Sequence, residues 1–382
     1  MGGGLGPLLH AMSHRHSTRR DFLQGKSAVL ATGDLLPADE SPQDPTIATA
    51  PEEAPRYLIQ VARTAMACEF QVFLNAGEAE RGTDAALAAL EQVGRLEDQL
   101  SVYRRDSEVS RLNRCAGDDP QPVEAGLFGL LELCVQLHRE AEGAFDITAG
   151  PLSKAWGFFR RQGCLPSQAA VDESLERVGT QWLKLSPPQR TVAYQQPGLE
   201  INLGGIGKGY ALDQCDRILR DGGVESFLIH GGRSSVLASG RRRGQDRQPD
   251  GWLVSLKHPL KPECELGKVR LRDRALGTSG SANQFFHFEG RRMGHVLDPR
   301  TGWPAEELLS ATVLAPTATL ADALSTAFFV LGRERSMAYC DAHPDVGAIL
   351  VAPGQRSGAW QVHTTGLAAG EWLPADDAQQ TS

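Results

Sequence analysis

The segment Ile201-Asn202-Leu203-Gly204-Gly205-Ile206-Gly207-Lys208-Gly209-Tyr210-Ala211-Leu212-Asp213 places a lysine behind three glycines, where a helical period begins. Glycines let backbone N–H groups approach an anion, a helix N-terminus adds partial positive charge, and Lys208 adds a full one. The combination suits a diphosphate. It is not a Walker A loop, because Asn202 stands where the first glycine belongs and Gly209 where Ser or Thr follows the lysine. Nor is it G-x-G-x-x-G, since Tyr210 takes the last place. On residues alone, a tight corner ahead of a helix remains an open reading.

Two further segments carry oxygen chemistry. In Ala321-Asp322-Ala323-Leu324-Ser325-Thr326-Ala327, Asp322 and Thr326 lie four apart and share a helix face within an apolar run. A carboxylate there needs a partner, and carboxylate with hydroxyl oxygens are hard donors of the kind Mg²⁺ takes. A helix cap or ion-pair role for Asp322 is the alternative. Thr278-Ser279-Gly280-Ser281 precedes Gly294-His295-Val296-Leu297-Asp298-Pro299-Arg300-Thr301-Gly302, which has the chemistry of a rigid turn. Ser279 is no nucleophile-elbow serine, because Ser281 occupies a glycine position of G-x-S-x-G. The seven cysteines, at 68, 115, 134, 164, 215, 264 and 340, show neither C-x-x-C nor framework spacing and are assigned no chemistry.

The elements that must hold these residues alternate between helix and strand from Arg56 onward. Apolar spacing predicts helices over 83–100 with Thr83 as N-cap, over about 124–141, and over about 207–220, the last ended by Gly222-Gly223. Helices at about 318–331 and 334–342 follow, and strands are expected at 68–74, 225–230, 252–256 and 346–351. Residues 240–251, with three successive arginines, read as an exposed loop. The fold class is α+β, with mixed or antiparallel sheets flanked by helices. Its domain occupies 56–365, followed by a polar tail over 366–382.

With 382 residues, 41% hydrophobic, 23% charged and a net charge of -8, the composition is globular and argues against a nucleic-acid partner. No apolar run approaches the ~20 residues a spanning helix needs. The N-terminus reads as an address: Ser17-Thr18-Arg19-Arg20-Asp21-Phe22-Leu23 and a short apolar stretch make residues 1–36 an export signal of twin-arginine type, with Met12 an alternative start. Residues 37–55 read as a linker too polar to order itself. A periplasmic location is expected. No cysteine precedes residue 68, so a lipid anchor is not expected.

Taken in order, Gly143-Ala144-Phe145-Asp146-Ile147-Thr148-Ala149-Gly150-Pro151-Leu152, the Asn202–Asp213 segment, Thr278-Ser279-Gly280, His295 to Gly302 and Ala321 to Ala327 resemble the FAD:protein FMN transferase (ApbE) family, from about Thr64 to Val351. The resemblance implies an exported, Mg²⁺-dependent enzyme that moves FMN from FAD to a Thr or Ser hydroxyl of an acceptor flavoprotein, releasing AMP, with proximity to a membrane surface. It implies FAD contacts from Met66, Tyr103, Ala144, Phe145, Asp146, Asn202, Lys208, Val296 and Leu297. It further implies Mg²⁺ held by the Gly205 carbonyl, Asp322 and Thr326, with His295 as general base beside catalytic Asp322.

Three departures from the family pattern stand out: Asn202 in place of Asp, Gly231-Gly232-Arg233 in place of Gly-Gly-Asp, and Ser281-Ala282 after Thr-Ser-Gly. They bear more on the choice of protein substrate than on flavin binding. Two other functions are open, an FAD diphosphate hydrolase and a non-catalytic flavin-binding protein. The acceptor and the oligomeric state are not specified by the sequence.

Overall fold

Strands whose side chains alternate between two buried faces build the central sheet. The computed structural model describes residues 57–243, 250–280, 285–356 and 358–375. Its strands are β1 (Leu58–Ala65), β2 (Cys68–Asn75), β3 (Gln121–Pro122), β4 (Leu183–Ser186), β5 (Thr191–Tyr194), β6 (Phe227–Gly231), β7 (Ser235–Ser239) and β8 (Trp252–Lys257). They continue with β9 (Glu265–Leu271), β10 (Arg274–Gly280), β11 (Phe285–Phe288), β12 (Arg291–Gly294), β13 (Ser310–Ala315), β14 (Gly347–Pro353), β15 (Trp360–Thr365) and β16 (Trp372–Pro374). Eight of them form one sheet in the order β1-β2-β6-β7-β10-β13-β14-β15, with every neighbour antiparallel.

The helices are α1 (Gly82–Leu100), α2 (Glu108–Cys115), α3 (Ala125–Glu140), α4 (Gly150–Ala155), α5 (Gln168–Leu175), α6 (Gly207–Asp221) and α7 (Ala318–Ala342). Helices α1, α6 and α7 cover one face of the large sheet, where Phe70 and Val72 of β2 and Phe227 and Ile229 of β6 join the main core. The intervening Phe73 and Leu228 turn to the other face, where Trp252, Leu256, Val269 and Leu271 of the β16-β9-β8 sheet make a second core. Period-two alternation thus supplies both cores from single strands. A third cluster around Trp156 and Phe158 buries Leu152 and Val171 beneath the 295–303 segment. Trp156 Nε1 donates to the Gly302 carbonyl at 2.9 Å.

The α+β expectation holds, and the named sheets are antiparallel throughout. Helix α7 contains the break expected between 331 and 334. Gly332 has φ 79°, ψ -176°, and the Glu307 carboxylate accepts from Arg333 N–H at 2.7 Å, capping the second half. Thr83 is not an N-cap. The helix starts one residue earlier, with Arg81 at the cap position and no side-chain bond there. Within the segment read as a polar tail, β16 pairs with β9, because Trp372 packs on the second core. The Asp298–Gly302 turn is present, with Gly302 N–H donating to the Asp298 carbonyl at 2.8 Å and Gly302 at φ 77°. All seven cysteines are free. Among the described residues no helix is long and apolar enough to cross a membrane. The export signal, the linker, residues 244–249 of the loop read at 240–251 and the Ser281-Ala282 departure lie outside the described residues.

Candidate active site

Helix α6 begins without a side-chain cap at Ile206, so its first N–H groups need partners from elsewhere in the chain. Asp322 supplies one. Its Oδ2 accepts from Gly209 N–H at 3.0 Å, and its Oδ1 accepts from Lys208 Nζ at 3.1 Å and from Ser235 Oγ at 2.9 Å. Helix α6 returns the favour to α7: the Asp213 carboxylate accepts from Ala318 N–H and Thr319 N–H, both at 2.8 Å, and from the Thr319 hydroxyl. Each helix therefore caps the other's N-terminus with a carboxylate. Burial pushes the Asp213 carboxyl above its usual range despite those hydrogen bonds.

This exchange demands near-contact of backbones. A Cβ on Gly209 would lie 2.1 Å from the Ala318 carbonyl oxygen, and one on Gly277 of β10 would lie 2.3 Å from that of Ala321. Two glycines thus wedge the first turns of α7 between α6 and the sheet. The glycine where a P-loop would carry Ser or Thr is explained by packing.

Asp322 is 3% exposed and Ser235 1%. Beside them, Ser279 Oγ lies 2.9 Å from Ser325 Oγ and 3.1 Å from Thr326 Oγ1, and Ser325 Oγ donates to the Asp322 carbonyl at 2.8 Å. A Cβ on Gly205 would sit 3.4 Å from Thr326 Oγ1, so the three implied cation ligands are neighbours. One carboxylate with neutral oxygens is a donor set that fits Mg²⁺, which completes its shell with water and phosphate oxygens. Among the described residues no three His, Cys, Asp or Glu side chains cluster as a metal site, so such a cation would have Asp322 as its charged donor.

Gly205, Ser279, Asp322 and Thr326 floor an inner cleft of about 460 Å³ whose walls include Ala144, Phe145, Asp146, Asn202, His295, Val296 and Leu297. It opens past Asn202, Gly204 and Lys208 into an outer cleft of about 660 Å³ bordered by Met66 and Tyr103. Every residue the resemblance implied borders this continuous space. Met66 and Ala67 form the β1–β2 turn at φ 49° and 58°, left-handed values that cost a non-glycine residue about 1 kcal/mol or more. Asn202 Oδ1 accepts from Gly204 N–H at 2.9 Å, closing the glycine turn as Asp would, but without charge. Tyr103, 66% exposed, stacks on Phe159 with centroids 4.7 Å apart. His295 is half-buried, edge-on to Phe158.

Asp146 is placed differently from a free ligand group. Its carboxylate accepts from Thr148 N–H and Oγ1 and from Thr180 N–H and Oγ1, and lies 3.2 Å from His138 Nδ1. Burial works against its charge, but His138, Thr148 and Thr180 outweigh burial and hold it below the usual carboxylate range. It brackets the wall that presents Ala144 and Phe145. Sequence reasoning missed Ser235, Asp213 and Phe159 as partners. Asp213 alone carried a local signal, standing in the same string as Lys208.

The fold is that of solved ApbE proteins. The structure is similar to the ApbE protein of Thermotoga maritima (TM-score 0.72, 26% identity, 81% of this chain and 97% of that one). It is also similar to the flavinyl transferase ApbE of Pseudomonas stutzeri (TM-score 0.71, 28% identity, 81% and 94%). Residues 64–350 match the ApbE family, and the chain belongs to it. Among curated relatives, the FAD:protein FMN transferase of Salmonella typhimurium is 30% identical over 308 residues, covering 79% of this chain and 85% of the relative. That of Treponema pallidum is 33% identical over 287 residues, covering 70% and 78%.

Proposed function

We propose that this protein transfers FMN from FAD to a Thr or Ser hydroxyl of an acceptor flavoprotein and releases AMP. The observation that carries the reading is Lys208 in the first turn of α6, hydrogen-bonded to buried Asp322 on the floor of a cleft large enough for a dinucleotide. The acceptor oxygen attacks the FMN-side phosphorus, and the bridging P–O bond breaks with its electron pair leaving on AMP. The hydroxyl proton passes to the His295 imidazole. Lys208 and the α6 N-terminus meet the charge that builds on the phosphates. A Mg²⁺ held by Asp322, Thr326 and the Gly205 carbonyl would supply Lewis-acid neutralisation of the diphosphate. Positioning and electrostatics account for the acceleration, as in phosphoryl transfer generally.

Incubation with FAD, Mg²⁺ and a candidate acceptor, read by in-gel flavin fluorescence and by AMP release, tests the proposal. AMP without a fluorescent acceptor would identify an FAD hydrolase, and FAD binding with neither product a storage protein. Export through the twin-arginine route is part of the same reading, supported by Arg19-Arg20. Replacing that pair with Lys-Lys should keep a folded, FAD-binding protein in the cytoplasmic fraction, and undiminished export would refute the route.

A further inference from the structure

The sequence contains an aromatic residue followed by two arginines twice, Tyr103-Arg104-Arg105 and Phe159-Arg160-Arg161, and the ring stack brings the two strings together at the mouth of the outer cleft. Arg104, Arg160 and Arg161 border that mouth, and Arg105 borders an adjoining recess of about 420 Å³ on the other side of the stack. Three arginines border the entrance and a fourth the recess beside it, in a chain whose net charge is -8. The acids bordering the two spaces are already matched: Glu97 pairs with Arg104 at 2.9 Å, and Glu200 pairs with Lys154. Among the described residues Arg105, Arg160 and Arg161 have no ion pair, and all three are exposed. Arg161 is moreover held at φ 56°, a left-handed value that a side chain adopts at a cost.

We propose that this arginine collar docks an acidic stretch of the acceptor polypeptide, with Asp and Glu side chains lying beside the hydroxyl that receives FMN. The inference rests on the flavin-transfer reading and adds the partner's chemistry. Guanidinium forks match carboxylates bidentately, and an exposed basic rim on an acidic protein steers an acidic partner toward it. Nucleic acid fits less well, since its affinity rests on phosphate neutralisation and the chain as a whole is acidic. The cofactor's own diphosphate has Lys208 and the α6 N-terminus deeper in the cleft.

The test compares the full chain with its Arg160→Glu/Arg161→Glu variant in low salt, using fluorescein-labelled octaglutamate, octaglutamine and an eight-nucleotide single-stranded DNA as anisotropy probes. Flavin fluorescence quenching gives FAD affinity, and AMP release is followed in parallel. The collar predicts that octaglutamate binds the wild type, that octaglutamine does not, and that the variant binds octaglutamate at least tenfold more weakly with FAD affinity within twofold. Equal octaglutamate binding by both proteins, or none by the wild type, would overturn the collar. So would tighter binding of DNA than of octaglutamate, or an equal loss of FAD affinity, which would assign the arginines to nucleic acid or to the cofactor. A wild type that binds octaglutamate but yields neither AMP nor flavinylated acceptor refutes the transfer reading instead, and the acidic-acceptor inference falls with it.

Discussion

On the helix side of the large sheet the strands present Ala275, Gly277, Ala315 and Ala348, whereas one residue away, on the opposite side, stand Leu276, Leu314 and Ile349. The bulkier side chains interdigitate with β8 and β9 and make an ordinary apolar core. The small ones let the α7 backbone come down onto the sheet, where Asp322 reaches Ser235 and Gly209 N–H. Chemistry here requires close backbone approach, and a core of larger side chains would forbid it. The two faces should therefore respond to substitution in different ways.

The largest expected effect is at Asp322. Asp322→Ala should abolish FAD turnover and also lower stability by about 1–3 kcal/mol, because Gly209 N–H and Ser235 Oγ lose their acceptor. Asp322→Asn keeps one acceptor oxygen but turns an NH2 donor toward groups that are themselves donors, and should lose turnover together with part of that stability. Turnover by either variant, measured as AMP release, would remove Asp322 from the chemistry. Next comes Gly209→Ala, whose methyl group meets the Ala318 carbonyl: an overpacking cost of about 1–3 kcal/mol and loss of turnover are expected together. A normal unfolding midpoint in urea would break the claim that backbone contact builds the site. His295→Ala should slow FMN transfer by roughly 10²–10⁴ while FAD affinity stays within a few-fold. On the apolar face, Ile349→Val should cost only about 0.5–1.5 kcal/mol and leave turnover untouched.

One histidine near each face sharpens the contrast through pH. Burial opposes the charge on His138, but its hydrogen bond to Asp146 prevails and raises its pKa above the usual value of 6.5. Its stabilisation is therefore full below about 6.5 and is lost as pH rises through the raised value. Burial lowers the pKa of His258, whose Nδ1 accepts from Leu260 and Lys261 N–H, both at 3.0 Å. Its stabilisation is present above about 6.5 and is lost as pH falls toward the lowered value. Thermal scans should find His138→Gln most costly near pH 5.5 and His258→Gln most costly near pH 8, and parallel profiles would refute both assignments.

Helices were legible in the sequence because their period is local: 83–100, 124–141 and 207–220 match α1, α3 and α6 to within a residue or two. So was the break at Gly332. Strands, which take their order from pairing, were less so, and β1, β7, β10, β13 and β15 went unassigned although they complete the large sheet. Lys208, Asp322 and Thr326 could be read from residue type and spacing. Ser235 could not, because it lies 87 residues from the carboxylate it serves and a lone serine before an apolar strand carries no signal. Phe159 was hidden likewise, since its role exists only against Tyr103.

The reciprocal capping of α6 and α7 also sets a timetable for synthesis. Gly209 and Asp322 are separated by 113 residues, so the ribosome completes α6 well before the carboxylate that seals it has been made. At ~5–20 residues per second that interval lasts roughly 6–20 s, during which the lysine and its glycine turn await their counterpart. Helix α7 emerges late in the body of the chain, which makes the catalytic floor one of the last parts to assemble. A nascent chain stalled before Ala318 would hold most of the first core's strands and the lysine turn, but neither the Asp322 carboxylate nor the Thr326 hydroxyl that complete the floor.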